Sequence, residues 1–185
     1  MPSSPWRARD LKLLDAIDAF KREPFDMPVW RAVRGGRDPL MGSPSRSRWC
    51  DGNFDVLYTS LERDGAVAEI HALLTLQPVF PSKISWFAHE LTVVASNTLR
   101  LADLPTLGRL GVDVDRYAER NYTRTQEIAD ASYFLGFDGL VVPSARWPCL
   151  NLVLFTDRVP PGQIDIAEPH GGPVSWDAWR KRTRT

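Results

Sequence analysis

The chain has 185 residues, 43% apolar and 25% charged, the make-up of a folded globular protein, which excludes disordered and fibrous classes. Twenty-three Lys and Arg balance 23 Asp and Glu, so the formal net charge of zero gives no electrostatic reason to expect nucleic acid as a direct partner. The longest uninterrupted apolar run, Leu152 to Phe155, is far shorter than the roughly 18 residues of a spanning helix, which excludes a helical membrane anchor.

At this length one domain over residues 1–185 is expected, and with no apolar h-region before Lys21 the cytoplasm is the expected compartment. Cys50 and Cys149 form no CxxC pair, and His71, His89 and His170 have no ligand spacing, so no metal is expected. The basic tail Arg180, Lys181, Arg182, Arg184 reads as a solvated end.

In chain order, Leu11, Leu14, Ile17 and Phe20 recur at helical spacing and predict an amphipathic helix over 9–22, stopped before Pro24. Pro28 to Val33 reads as a short strand in which Val29, Arg31 and Val33 share one face and Trp30 and Ala32 the other. Residues 34–53 carry four Gly and two Pro, a long turn-rich loop of the kind that is functional or disordered. Residues 54–59 alternate as a strand, and 65–76 read as a helix. Further strands are expected at 90–95, 139–142, 150–156 and 163–167, and helices at 115–121 and 125–135. A turn-rich stretch then leads to Trp176 and Trp179, a C-terminal cap within 157–185. Short strands mixed with helices predict an α+β fold.

Five side chains stand out. On a helical wheel, Ala66, Val67, Ile70, Leu73 and Leu74 form an apolar arc, and Glu69 falls at its edge. A carboxylate on a buried edge needs a partner, so Glu69 either pairs with a structural Arg or serves a site. Arg31, facing with Val29 and Val33, offers a planar donor fork that suits a carboxylate or a phosphate, so the two either pair together or hold a ligand. Arg48, beside Trp49 in the loop, is a second cation; Tyr58 sits on the Phe54 and Val56 face; Ser144 follows Pro143 at a strand end. The surroundings of Ser144 are no GxSxG elbow, and neither GxGxxG nor Walker A occurs.

Trp30-Arg31, Ser47-Arg48-Trp49 with Gly52, Val56 to Ser60, Ala66 to Glu69, Gly136 to Arg146 and Asn151 to Phe155, in that order over about 28–156, resemble the RES domain. The resemblance implies a compact fold with a mixed or antiparallel β core flanked by helices, similar to ADP-ribosyltransferase toxins. It implies the toxin of a type II toxin–antitoxin pair, with an Xre-like helix-turn-helix antitoxin as partner and NAD as substrate. The family's Arg, Glu and Ser fall on Arg31, Glu69 and Ser144, and its loop Arg and strand Tyr on Arg48 and Tyr58. The family's Gly-Gly-Arg-Trp-Asn loop is replaced here by Arg46-Ser47-Arg48-Trp49-Cys50.

Those roles make Glu69 the carboxylate near the ribose, Arg31 and Arg48 the grip on pyrophosphate, Tyr58 a stacking surface and Ser144 an orienting hydroxyl. The activity so implied is transfer of ADP-ribose to a protein target. The alternatives are an NAD glycohydrolase or phosphorylase, and a non-catalytic interaction module in which Arg31 and Glu69 form a structural ion pair.

Overall fold

The computed structural model describes residues 8–168 and 171–183; His170 and Arg184 lie outside the described residues. In chain order the elements are α1 (Leu11–Asp18), β1 (Arg22–Arg34), β2 (Val56–Ser60), α2 (Arg63–Leu74), β3 (Trp86–Arg100), α3 (Leu104–Arg109), α4 (Thr123–Phe134), β4 (Gly139–Pro143), β5 (Leu150–Phe155), β6 (Ile164–Ile166), β7 (Gly172–Pro173) and α5 (Trp176–Thr183).

The frame is the antiparallel pair β1 and β3, in register from Arg22 opposite Leu99 to Arg34 opposite Trp86. The register shift between Glu23 and Phe25 falls on Pro24, whose missing N–H could not serve a ladder. On the other side, β2 pairs β5 and β5 pairs β4, both antiparallel, while β4 runs parallel to the end of β3 and β2 meets β1 at Ser60 opposite Trp30. The pairings β1, β2, β5, β4, β3 and back to β1 therefore close a ring, and β6 and β7 add to β3.

Three apolar layers follow from strand alternation. Inside the ring, Phe25 and Val29 of β1 and Leu91 and Val93 of β3 pack against Leu57, Val141, Leu152 and Leu154. The outer face of β2, β4 and β5 carries Val56, Val142, Val153 and Phe155 under α1, α3 and α4. The outer face of β1 and β3 carries Trp30 and Ala88 under α2 and α5, and Trp176 and Trp179 of α5 bury there.

Several expectations change. Helix α1 starts on its Asp10 cap, which accepts from the Lys12 and Leu13 amides, and ends at Asp18, because the chain is taken up by β1 from Arg22. β1 and β3 span 13 and 15 residues, well beyond 28–33 and 90–95, because each completes the other's backbone hydrogen bonds even where its side chains are exposed. The expected helix at 115–121 is a series of turns and bends, and α3 forms instead upstream, capped by Asp103 on the Thr106 amide. In α2 the buried face is Gly65 to Ala68, and Leu73, placed on the apolar arc from the sequence, is 50% exposed.

Candidate active site

Gly65 sets how closely α2 approaches the sheet. A Cβ at this position would collide with Ser60 Oγ and Cys149 Sγ, so only glycine lets the first turn of α2 lie against β2 and the chain entering β5. One turn further on, Glu69 then meets two donors from the ring. Ser144 Oγ, just past β4, donates to Glu69 Oε1 at 2.8 Å, and Asn151 Nδ2, on β5, donates to the same oxygen at 3.0 Å. Ser144 Oγ itself accepts from the Arg146 and Trp147 amides at 3.1 and 3.2 Å, which fixes its orientation and commits its proton to the carboxylate. Both lone pairs of Oε1 are thus used; among the described residues no donor reaches Oε2 and no cation pairs with Glu69.

Tyr58 projects from β2 onto the same outer face. Burial, followed by the charge of Glu69, pushes its phenol well above the ordinary range, while Arg48 opposes the shift, so this ring stands within the field of both charges. Tyr117, whose hydroxyl donates to the Pro143 carbonyl at 2.7 Å, is likewise raised, first by burial, with Arg48 again opposing.

Arg48 is only 9% exposed and has no carboxylate partner among the described residues. Its guanidinium lies 4.6 Å from the Tyr117 ring centre and 4.8 Å from that of Tyr122, and Nη2 donates to the Glu119 carbonyl at 3.2 Å. Two aromatic faces stabilise a cation without neutralising it, leaving its charge available to an anion. The loop that carries it is not slack here: Trp49 is buried in the core, and Gln126 Nε2 of α4 donates to the Ser47 and Cys50 carbonyls at 2.8 and 3.2 Å.

Arg31 is not brought to this cluster. Trp30 packs on Val67 and Ala68 of α2, so alternation turns Arg31 to the opposite face of β1, where Nη1 donates to the Pro39 and Met41 carbonyls at 2.6 and 2.8 Å. Burial, with Arg37 adding to it, lowers the guanidinium to about 10. The Arg31–Glu69 ion pair that an interaction module would use does not form.

Of the five residues expected from the sequence, Glu69, Ser144, Tyr58 and Arg48 converge, and Arg31 holds the 34–53 loop through the Pro39 and Met41 carbonyls. Sequence reasoning missed Asn151, Tyr117 and Tyr122. The first had a signal, since it is the polar residue inside the apolar run Leu150 to Phe155. The two tyrosines had none: Tyr117 falls in a segment that reads as a helix and folds as turns, and Tyr122 falls between the two expected helices, where it caps α4.

An aligned carboxylate beside tyrosine rings, with a buried guanidinium that has no carboxylate partner among the described residues, can stabilise positive charge at one end and take up an anionic group at the other. The RES domain family model matches residues 28–177. The chain belongs to the RES domain family. Among relatives of this RES-domain protein is a probable NAD(+) phosphorylase of Mycobacterium tuberculosis, 29% identical over 169 residues, covering 86% of this chain and 80% of the relative. The NAD(+) phosphorylase MbcT of Mycobacterium bovis is 23% identical and covers 87% of this chain and 90% of that one. The fold is shared with the crystal structure of the Mycobacterium tuberculosis MbcT–MbcA toxin–antitoxin complex, with a TM-score of 0.81 at 19% identity over 96% of this chain and 100% of that one. Among the described residues no group of His, Cys, Asp and Glu could hold a metal ion, and no helix is long and apolar enough to cross a membrane.

Proposed function

We propose that this RES-domain protein is the toxin of a toxin–antitoxin pair and degrades NAD, with phosphate as the acceptor of the ADP-ribosyl group. The observation that carries the reading is Glu69: a half-buried carboxylate with one oxygen fixed by Ser144 and Asn151 and, among the described residues, no donor to the other oxygen and no cation to neutralise it. When the nicotinamide–ribose bond breaks, its electron pair goes to the ring nitrogen, nicotinamide leaves neutral, and positive charge grows at the ribose carbon. A preorganised carboxylate stabilises that charge, directly or through a ribose hydroxyl, as in glycoside cleavage. A phosphate oxygen then forms the new bond at the same carbon. Arg48 supplies charge for the pyrophosphate, and Tyr58 a face for the nicotinamide.

The resemblance to the family implies transfer of ADP-ribose to a protein. The names of the relatives favour phosphorolysis, and no feature of this site points to a protein acceptor. The partner of the toxin would be an antitoxin, Xre-like in the reading carried by the family, whose segment enters beside the 34–53 loop and excludes NAD.

The test is nicotinamide release from NAD by purified protein in phosphate and in phosphate-free buffer, with mass detection of the ribosyl product. Turnover that needs phosphate and yields a phosphorylated ADP-ribose supports the reading, and the Glu69→Gln variant, which keeps the shape but loses the charge, should fall by at least about 100-fold. Turnover independent of phosphate, with label appearing on protein in a cell extract, would replace phosphorolysis by ADP-ribosyl transfer. Normal turnover by Glu69→Gln would remove the site.

A further inference from the structure

We infer that Asn151 is a positioning residue for Glu69, retained at a cost to stability because its amide locks the carboxylate; this deepens, and rests on, the proposed cleavage of NAD.

Asn151 sits in the middle of the sheet, opposite Ser60 on β2 and Val142 on β4, and is 2% exposed. Its amide can face Glu69 in only one sense. With Nδ2 towards the carboxylate it donates to Oε1 at 3.0 Å; reversed, it would set carbonyl oxygen against carboxylate oxygen. The orientation that serves Glu69 leaves Asn151 Oδ1 buried and without a partner among the described residues. A polar residue kept only for the integrity of the sheet would have both ends satisfied, whereas an orphaned buried acceptor lowers stability. An apolar side chain of similar size would suit this strand, which is otherwise Leu150, Leu152, Val153, Leu154 and Phe155.

The return on that cost is geometric. Ser144 arrives from the turn after β4 and Asn151 from β5, so two donors anchored on adjacent strands converge on one oxygen. One donor would leave the carboxylate free to swing about it; two remove that freedom and hold Oε2 in a fixed place. In a reaction whose barrier depends on a charge already pointing where positive charge develops, that order acts on the chemical step and not on the affinity for substrate.

Asn151→Leu therefore separates this role from a structural one. It removes the donor and the orphan together, so the variant should melt no lower than wild type within about 3 °C, keep the KM for NAD within about threefold, and lose roughly 10- to 100-fold in kcat, the worth of one hydrogen bond to a charged group. Asn151→Asp supplies a second variant of native shape. Ionised, its carboxyl repels Glu69; sharing a proton with it, the pair regains a donor, so the ratio of Asn151→Asp to wild-type kcat should rise as pH falls from 8 to 5. The groups facing Glu69 from the other elements are Tyr58 and Tyr117, raised by burial, Cys149, also raised by burial, and the Arg48 guanidinium near the two rings. The two phenols and the thiol stay neutral in that interval, and Glu62, which accepts from Trp147 Nε1, is present in both proteins.

Full kcat in Asn151→Leu, or a loss confined to KM, overturns the inference while leaving NAD cleavage intact. So does a melting temperature lowered by more than about 8 °C, or an Asn151→Asp ratio flat with pH. Absence of NAD turnover in the wild-type protein is a different result, and sinks the reading together with the inference.

Discussion

Gly65→Ala tests whether the approach of α2 to the sheet places the carboxylate. A single methyl group here meets Ser60 Oγ and Cys149 Sγ, two atoms already in contact with each other at 3.2 Å, with Ser60 Cβ at 3.2 Å behind them. Overpacking of a closed site costs about 1–3 kcal/mol, and two obstructing atoms argue for the upper half of that range. Against it stands the gain of about 1 kcal/mol that Ala has over Gly inside a helix. The balance is a net loss of about 1–2 kcal/mol, read as a melting temperature lower by roughly 2–8 °C for a chain of this size. The functional loss should exceed the structural one. Relief of the clash requires α2 to move outward, and a shift of about 1 Å between Glu69 and its two donors is worth about 100-fold in turnover. The assay is thermal unfolding alongside nicotinamide release on the same preparation. Adding Ser60→Ala and Cys149→Ala removes both obstructing atoms and should return a large part of each loss. A variant that melts higher than wild type and turns over NAD normally would refute the argument, because it would show helix propensity acting with no steric opposition.

Arg48→Ala should weaken NAD binding by about 1.5–3 kcal/mol, measured by calorimetry on an inactive Glu69→Gln background, and Arg48→Lys should recover little, since a point charge lacks the fork that lies between Tyr117 and Tyr122. Arg31→Ala should instead orphan the Pro39 and Met41 carbonyls, lower stability by about 1–3 kcal/mol and expose the 37–41 segment to limited proteolysis; an unchanged cleavage pattern with weakened NAD binding would return Arg31 to the ligand. The raised phenols set an alkaline limit. Tyr58 and Tyr117 keep their protons in the folded state above pH 10 while the unfolded chain loses them, so their contribution is complete below pH 10 and is lost above it, at about 1.4 kcal/mol per pH unit for each group. Arg31, lowered to about 10, works in the opposite sense above that pH, so the comparison to make is urea unfolding of wild type against Tyr117→Phe, in which the decline should be shallower.

Legible in the sequence were α1, from its apolar period, β2, β4 and β5, from short apolar runs bounded by turn residues, and the approximate extents of α2 and α4, and Glu69 stood out as a carboxylate on a buried edge. It also carried the family blocks, because Arg, Tyr, Glu and Ser at those intervals are readable without any fold. What these side chains face was set by contacts between segments distant in sequence. Alternation along β1 grouped Arg31 with Val29 and Val33, yet which face of that strand receives α2 depends on a pairing with β3 some 60 residues away, and that pairing turned Arg31 to the 34–53 loop. Tyr117 was hidden because its local pattern is helical, whereas its bond to the Pro143 carbonyl and its contact with the Arg48 guanidinium, both distant in sequence, go with a run of turns; Tyr122, at the cap of α4, meets the same guanidinium only in the fold. Asn151 showed in the sequence as a polar residue among apolar neighbours, but its meaning needed the close approach that Gly65 permits. Periodicity records which side of an element is apolar; the partner of a polar group comes from another part of the chain, and that is fixed only when the ring of strands closes.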